Sequence, residues 1–117
     1  MFSSLFGGQP AGPRPDVVTV KEAQEKLAAE PVPFLLDVRE PSEFRSARIA
    51  GATLIPLGQL QKRVSELPSG GEIIVVCQSG SRSGSATSFL RKSGLNALNL
   101  NGGMSAWMRA GLPVERG

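Results

Sequence analysis

The chain has 117 residues, 40% of them hydrophobic, which suits one globular domain with a single core. Its 13 basic and 10 acidic residues give a net charge of +3, and both signs are scattered along the chain, which argues against a nucleic-acid-binding surface. A single cysteine excludes an internal disulfide, and the absence of histidine excludes Cys-His and Ser-His catalysis and leaves too few soft ligands for zinc. We expect no metal at the site, and we also expect no cofactor.

Residues 1–15 are predicted to be a flexible tail and residues 16–117 the folded domain. The tail lacks the basic and long apolar regions of a signal peptide, and no run in the chain is long and apolar enough for a membrane span, so the cytoplasm is the expected compartment. Its apolar residues Phe2, Leu5 and Phe6 fit either a frayed terminus or a segment that binds a partner or a second copy.

The first half of the domain alternates short strand and helix candidates. Residues 16–20 are rich in valine and predict a strand, and residues 21–30 contain helix formers that end before Pro31. Residues 34–38 predict a buried strand, and residues 41–48 a short helix or turn with proline in its first turn.

The second half continues the alternation. An apolar run at residues 52–57 precedes a helical spacing of apolar side chains in residues 58–67. Residues 72–77 are apolar on both faces and predict a strand in the middle of a covered sheet. A helix is predicted for residues 83–94, and a strand and a last helix follow within residues 95–114. This order predicts an α/β fold with a mainly parallel sheet and helices on both faces.

Cys77 ends the predicted central strand, and ligands of open α/β sheets bind beyond the carboxyl ends of the strands. The residues between this strand and the helix start at Ser83 are Gln78, Ser79, Gly80, Ser81 and Arg82. Such a loop can turn its backbone N–H groups inward beside a helix N-terminus and bind an anion. The same groups lower the pKa of a thiol, so Cys77 is a candidate nucleophile that needs no histidine.

Structural interpretations exist for several of these residues. Cys77 by itself could be a small buried hydrophobic residue, although the loop after it favours a reactive site. The Arg82 side chain could face the loop or point outward into an ion pair, and the residues do not separate the two. Asp37 and Arg39 favour an internal ion pair over a pocket border, and Trp107 favours the core.

Four segments resemble the rhodanese (sulfurtransferase) family. "CQSGSRS" at residues 77–83 resembles its active-site loop, Cys-x-x-Gly-x-Arg-Ser, and "LLDVREPSEF" at residues 35–44 resembles its Asp-Val-Arg segment. "IAGATLIPL" at residues 49–57 and "LNGGMSAWMRAGLPV" at residues 100–114 resemble its Gly-Ala-x-x-Ile-Pro and Gly-Gly-x-x-Ala-Trp stretches. The resemblance covers nearly the whole predicted domain.

This resemblance implies a five-stranded parallel sheet and a sulfurtransferase. Cys77 would take a sulfane sulfur from a donor such as thiosulfate, and residues 78–83 would bind the substrate. The implied acceptor is cyanide, a thiol or a partner protein. The chain departs from the family pattern at Ala47, Arg48 and Ala50, where Gly, His and Pro are frequent, and neutral Gln78 stands where a basic residue is frequent.

Other classes fit less well or remain open. A cysteine phosphatase usually has Cys-x5-Arg, whereas the spacing from Cys77 to Arg82 is Cys-x4-Arg, and no Gly-Lys-Ser/Thr nucleotide loop is present. A persulfide carrier or regulatory binding module with little small-molecule turnover remains the alternative.

Overall fold

A computed structural model describes residues 16–117, so the predicted tail lies outside the described residues. The strands are β1 (Val17–Val18), β2 (Phe34–Asp37), β3 (Thr53–Leu54), β4 (Glu72–Val76) and β5 (Asn96–Leu100). The helices are α1 (Val20–Leu27), α2 (Pro41–Ser46), α3 (Leu57–Arg63), α4 (Ser81–Lys92) and α5 (Gly103–Arg109), with a 3₁₀ turn at Val64–Glu66.

The five strands form one parallel sheet in the order β1-β5-β4-β2-β3, which confirms the predicted α/β fold. Strand β4 lies at its centre, and its alternate residues face two separate cores because side chains of a strand alternate between faces. Ile74 and Val76 pack with residues of α1 and α5, whereas Ile73 and Val75 pack with residues of α3 and α4.

The first strand is shorter than predicted, because Thr19 stops it and begins a helix. The Thr19 hydroxyl accepts a hydrogen bond from the Glu22 amide at 3.0 Å, and the Glu22 carboxylate accepts one from the Thr19 amide at 2.8 Å. This capping box makes Val20 the first helical residue, so the prediction of a strand over residues 16–20 was wrong at its end.

The helix after the central strand begins two residues earlier than predicted. Gly80 adopts a left-handed conformation (φ 103°) as its N-cap, and its carbonyl accepts a hydrogen bond from the Gly84 amide at 3.0 Å. Ser81 and Arg82 therefore lie in the first turn of α4 and not in the loop. The carboxyl end of β4 and the N-terminus of α4 are separated by four residues.

Candidate active site

Cys77 directly follows β4 and is fully buried. Its Sγ accepts a hydrogen bond from the Gly80 amide at 3.1 Å and lies 3.2 Å from the Ser83 hydroxyl oxygen. Burial alone would raise the pKa of the Cys77 thiol, but the Ser83 hydroxyl and the amides of Ser83, Gly80 and Ser79 outweigh it. The pKa therefore lies below its ordinary value, so the thiolate forms more readily than at an ordinary cysteine.

The carbonyls of the loop are held on the opposite side, by the start of α5. The Met104 amide donates to the Cys77 carbonyl at 2.8 Å, and the Ser105 amide donates to the Gln78 carbonyl at 3.0 Å. Gly103 makes this approach possible, because a Cβ there would lie 2.8 Å from the Gln78 carbonyl carbon. With the carbonyls turned outward, the loop amides face the sulfur.

A side chain of β5 fixes the far end of the loop. The Asn99 amide nitrogen donates to the Gly80 carbonyl at 3.1 Å, and the Ser83 hydroxyl lies 2.6 Å from the Asn99 side-chain oxygen. Neither Asn99 nor the amides of Met104 and Ser105 were singled out from the sequence. The Gly-Gly pair at the start of α5 was the available signal, since such a pair often permits close backbone approach.

The predicted substrate-binding residues have different surroundings. Ser79 and Ser81 are exposed, Gly80 is half-buried, and Ser83 is fully buried beside the sulfur. The half-buried Gln78 side chain donates to the Ser105 hydroxyl at 3.1 Å, and its oxygen lies 3.5 Å from an Arg39 nitrogen. Gln78 is thus anchored through its side chain, and it leaves the loop without a basic group at that position.

Arg82 forms the ion pair that was one of its two interpretations. Two of its guanidinium nitrogens each donate to a Glu43 carboxylate oxygen at 2.8 Å. This hydrogen bonding lowers the pKa of Glu43 from 4.5 to about 2 and raises that of Arg82. The Arg82 charge also interacts with Cys77. The pair connects α2 to the first turn of α4.

Asp37 and Arg39 form a buried ion pair, as predicted, with their closest atoms 2.8 Å apart. Arg39 also donates to the carbonyls of Ala47 at 2.7 Å and Glu43 at 3.2 Å, so the pair joins the end of β2 to α2. Trp107 is buried in one of the two cores, which confirms its predicted place.

Arg48, where the family pattern often has histidine, binds the C-terminal residues. It donates to the Gly117 carbonyl at 3.0 Å and lies 3.7 Å from the Glu115 carboxylate, and its guanidinium stacks 5.0 Å above the Phe44 ring. Arg48 therefore has a structural role at the position where the family often has histidine.

Within residues 16–117, no group of three or more potential metal ligands of the His, Cys, Asp and Glu types comes together. Over the same residues, none of the helices has the length and apolar character that crossing a membrane requires.

The structure thus combines a parallel α/β sheet with a buried cysteine whose sulfur accepts a hydrogen bond from the loop after the central strand. The model of the Rhodanese-like domain matches residues 19–110, and the chain belongs to this family.

Its relatives include proteins named for sulfur transfer. A protein named "Sulfurtransferase" from Allochromatium vinosum is 36% identical, over 77% of this chain and 85% of that protein. The "Putative sulfur carrier protein YrkF" of Bacillus subtilis is 35% identical over 77% of this chain, which spans only 49% of YrkF. A crystal structure of a rhodanese-related protein from Thermoplasma volcanium has a TM-score of 0.79 at 32% identity, covering 85% of this chain and 96% of that one.

Proposed function

We propose that this protein is a sulfurtransferase that carries a sulfane sulfur on Cys77 as a persulfide. The observation that supports this proposal is the set of hydrogen-bond donors at Sγ, with the Gly80 amide at 3.1 Å and the Ser83 hydroxyl oxygen at 3.2 Å. These groups favour the thiolate, which is the nucleophilic form of cysteine.

The reaction has two displacement steps. The Cys77 thiolate attacks the outer sulfur of a donor such as thiosulfate, the S–S bond of the donor breaks, and sulfite leaves with the electron pair. An acceptor nucleophile, cyanide or a thiol, then attacks the terminal persulfide sulfur, and the Cys77 thiolate leaves. With cyanide the product is thiocyanate, and no net oxidation or reduction of the protein occurs.

The loop offers the charge stabilisation that both steps need. Stabilisation would come from backbone amides, a hydroxyl and the N-terminal turn of α4, a 12-residue helix whose dipole favours an anion at this end. The contributing residues would be Gln78, Ser79, Gly80, Ser81, Arg82 and Ser83. The anionic terminal sulfur of the persulfide is the group that these donors would hold. Because Cys77 is fully buried, a donor reaches Sγ only when the loop or the sulfur moves, which favours small donors.

The second candidate is a persulfide carrier that discharges to a partner protein. The likeness to YrkF, a protein named as a putative sulfur carrier, favours it. Under either function the single cysteine must stay reduced, so we propose a reducing compartment such as the cytoplasm.

Thiocyanate formation from thiosulfate and cyanide tests the proposal. The wild-type protein is expected to turn over, Cys77→Ser to be inactive, and Ser85→Ala, an exposed position in α4, to match the wild type. Turnover that survives Cys77→Ser would overturn the proposal. A stoichiometric sulfur loading without turnover would instead support the carrier.

A further inference from the structure

A hydrogen-bonded chain leads from Cys77 through Ser83 to Asn99, and its far end has no role in the reaction described above. We propose that Asn99 is a positioning residue: it holds the Ser83 hydroxyl proton while the Cys77 sulfur is uncharged and gives it up when the thiolate forms. Asn99 would thereby set how readily Cys77 ionises.

Ser83 has two possible acceptors and one hydroxyl proton. Its oxygen lies 2.6 Å from the Asn99 side-chain oxygen and 3.2 Å from the Cys77 sulfur, and Ser83 is fully buried, so water does not supply a further partner at its surface. A hydroxyl donates one hydrogen bond at a time. Asn99 and the Cys77 sulfur therefore compete for the same proton.

The orientation of the Asn99 amide is fixed by its other end. Its nitrogen donates to the Gly80 carbonyl at 3.1 Å, and a Cβ on Gly84 would lie 3.4 Å from that nitrogen. A flipped amide would place its oxygen against the Gly80 carbonyl oxygen, and this would leave two acceptors facing each other. The Asn99 oxygen is thus held toward Ser83 in every charge state of the cysteine.

The competition favours the uncharged sulfur. In the thiol form, Cys77 donates to the Ser83 oxygen and Ser83 donates to Asn99, so both bonds are made. In the thiolate form, Ser83 turns its proton to the sulfur, and two oxygens 2.6 Å apart are left without a proton between them. In a persulfide the charge lies mainly on the terminal sulfur, so the Ser83 proton returns to Asn99; this last statement rests on the proposed function.

Charged groups near the sulfur come from three elements. Arg82 lies in the first turn of α4 and is paired with Glu43 of α2, and its charge also interacts with Glu40. The Asp37 and Arg39 pair lies at the carboxyl end of β2. The first turn of α5 begins with Gly-Met-Ser and contributes no charge. None of these groups is substituted in the variants below, so we expect their effects to cancel between matched proteins.

Titration of the ultraviolet thiolate absorbance measures the ionisation directly. The chain has one cysteine, no tyrosine and no histidine, so the change reports Cys77 without interference from tyrosinate. We expect Asn99→Leu to increase the acid dissociation constant of Cys77 by about fivefold, the effect of one net hydrogen bond. In a Ser83→Ala background the same substitution should have no such effect. Asn96→Leu, at an exposed position of the same strand, is the matched control.

The coupling between the two positions decides the outcome. An equal effect of Asn99→Leu in both backgrounds, or a decrease in the dissociation constant in the Ser83-containing protein, would overturn the proposal. Such results would mean that Asn99 acts only by bracing the Gly80 carbonyl.

If Asn99→Leu fails to unfold cooperatively, Asn99→Asp gives the same test with an isosteric side chain. Its carboxylate accepts the Ser83 proton more strongly, so the dissociation constant should fall further with Ser83 present than in Ser83→Ala. Equal falls would reveal charge repulsion alone and contradict the proposal. The titration uses no sulfur donor, so failure of the proposed sulfurtransferase activity would not affect it.

Discussion

Neighbouring strands β2 and β4 end at the same edge of the sheet in opposite ways. At the end of β2, the charges of Asp37 and Arg39 are buried and satisfied by each other and by nearby carbonyls. After β4, the carbonyls of Cys77 and Gln78 accept hydrogen bonds from backbone amides of α5, while the Gly80 amide donates to the Cys77 sulfur. Under the proposed function, the comparison teaches that reactivity depends on hydrogen-bond donors that converge on one atom, and not on the density of charge.

The two strand ends are also connected. Arg39 donates to the carbonyls of Glu43 and Ala47, at 3.2 and 2.7 Å, and thereby holds α2. Glu43 in turn binds Arg82 at the start of α4. The buried pair at the end of β2 thus supports the segment that follows β4. Substitutions can therefore separate effects on stability from effects on the chemistry proposed for Cys77.

The largest expected effect is on stability, and it comes from breaking the buried pair of Asp37 and Arg39. Arg39→Gln leaves the buried Asp37 carboxylate without its charge partner, and breaking a buried pair in this way costs about 3–5 kcal/mol. Urea unfolding should show this loss, whereas Arg63→Gln, which breaks a solvent-exposed pair with Glu66, should leave the midpoint nearly unchanged. Similar midpoints for the two variants would show that the Asp37 and Arg39 pair is not a brace.

A smaller effect on stability, with a direct effect on chemistry, is expected from Gly103→Ala. The new Cβ would push against the Gln78 carbonyl group, and φ of +57° adds strain, so the free energy of unfolding should fall by about 2–4 kcal/mol. Displaced carbonyls would also misdirect the loop amides, so sulfur loading of Cys77 should slow.

The matched control is Gly111→Ala, because Gly111 has a similar φ of +75° but open space around its Cβ position. It should lose about 1 kcal/mol from backbone strain and load sulfur at the wild-type rate. If both variants load sulfur equally fast, the contact between α5 and the loop carbonyls has no part in reactivity.

The smallest effect on stability is expected from breaking the ion pair between Glu43 and Arg82. The pKa of Glu43 is lowered from 4.5 to about 2, so its ion pair stabilises the fold above about pH 4.5 and loses this contribution as the pH falls toward 2. Because both partners are about one-third exposed, Glu43→Gln should cost about 1 kcal/mol or less at neutral pH.

Unfolding measured against pH should therefore show wild type and Glu43→Gln converging in acid. Glu25→Gln, at an exposed position of α1, provides the control. A difference between wild type and Glu43→Gln that stays constant down to pH 2 would contradict the assigned ion pair.

The sheet and the place of Cys77 could be predicted because both follow from local patterns. Residues 73–77 are all apolar, so both faces of the strand are apolar and a covered central strand is predicted. The cysteine at its end then lies at the ligand-binding edge. The alternation of strands and helices is also readable from the sequence, and it predicts the parallel arrangement.

The contacts that shape the site could not be predicted, because they join residues far apart in sequence. Gln78 meets Ser105 across 27 positions, and Arg82 meets Glu43 across 39. The orientation of Arg82 depends on where α2 lies. The contacts of Asn99 depend on how β5 is placed against the start of α4. Neither is encoded in a local pattern of residues.

The most direct test of the central claim is the intact mass of the protein after incubation with thiosulfate. We expect the wild type to gain one sulfur atom that cyanide or a thiol reductant removes, and Cys77→Ser to gain none. The removal step is required because two oxygen atoms have nearly the mass of one sulfur, and sulfinic acid resists both reagents. Mercaptopyruvate and a cysteine persulfide are tested in the same way. If no donor loads a removable sulfur on Cys77, the amide-lined loop does not carry a persulfide and the account is contradicted.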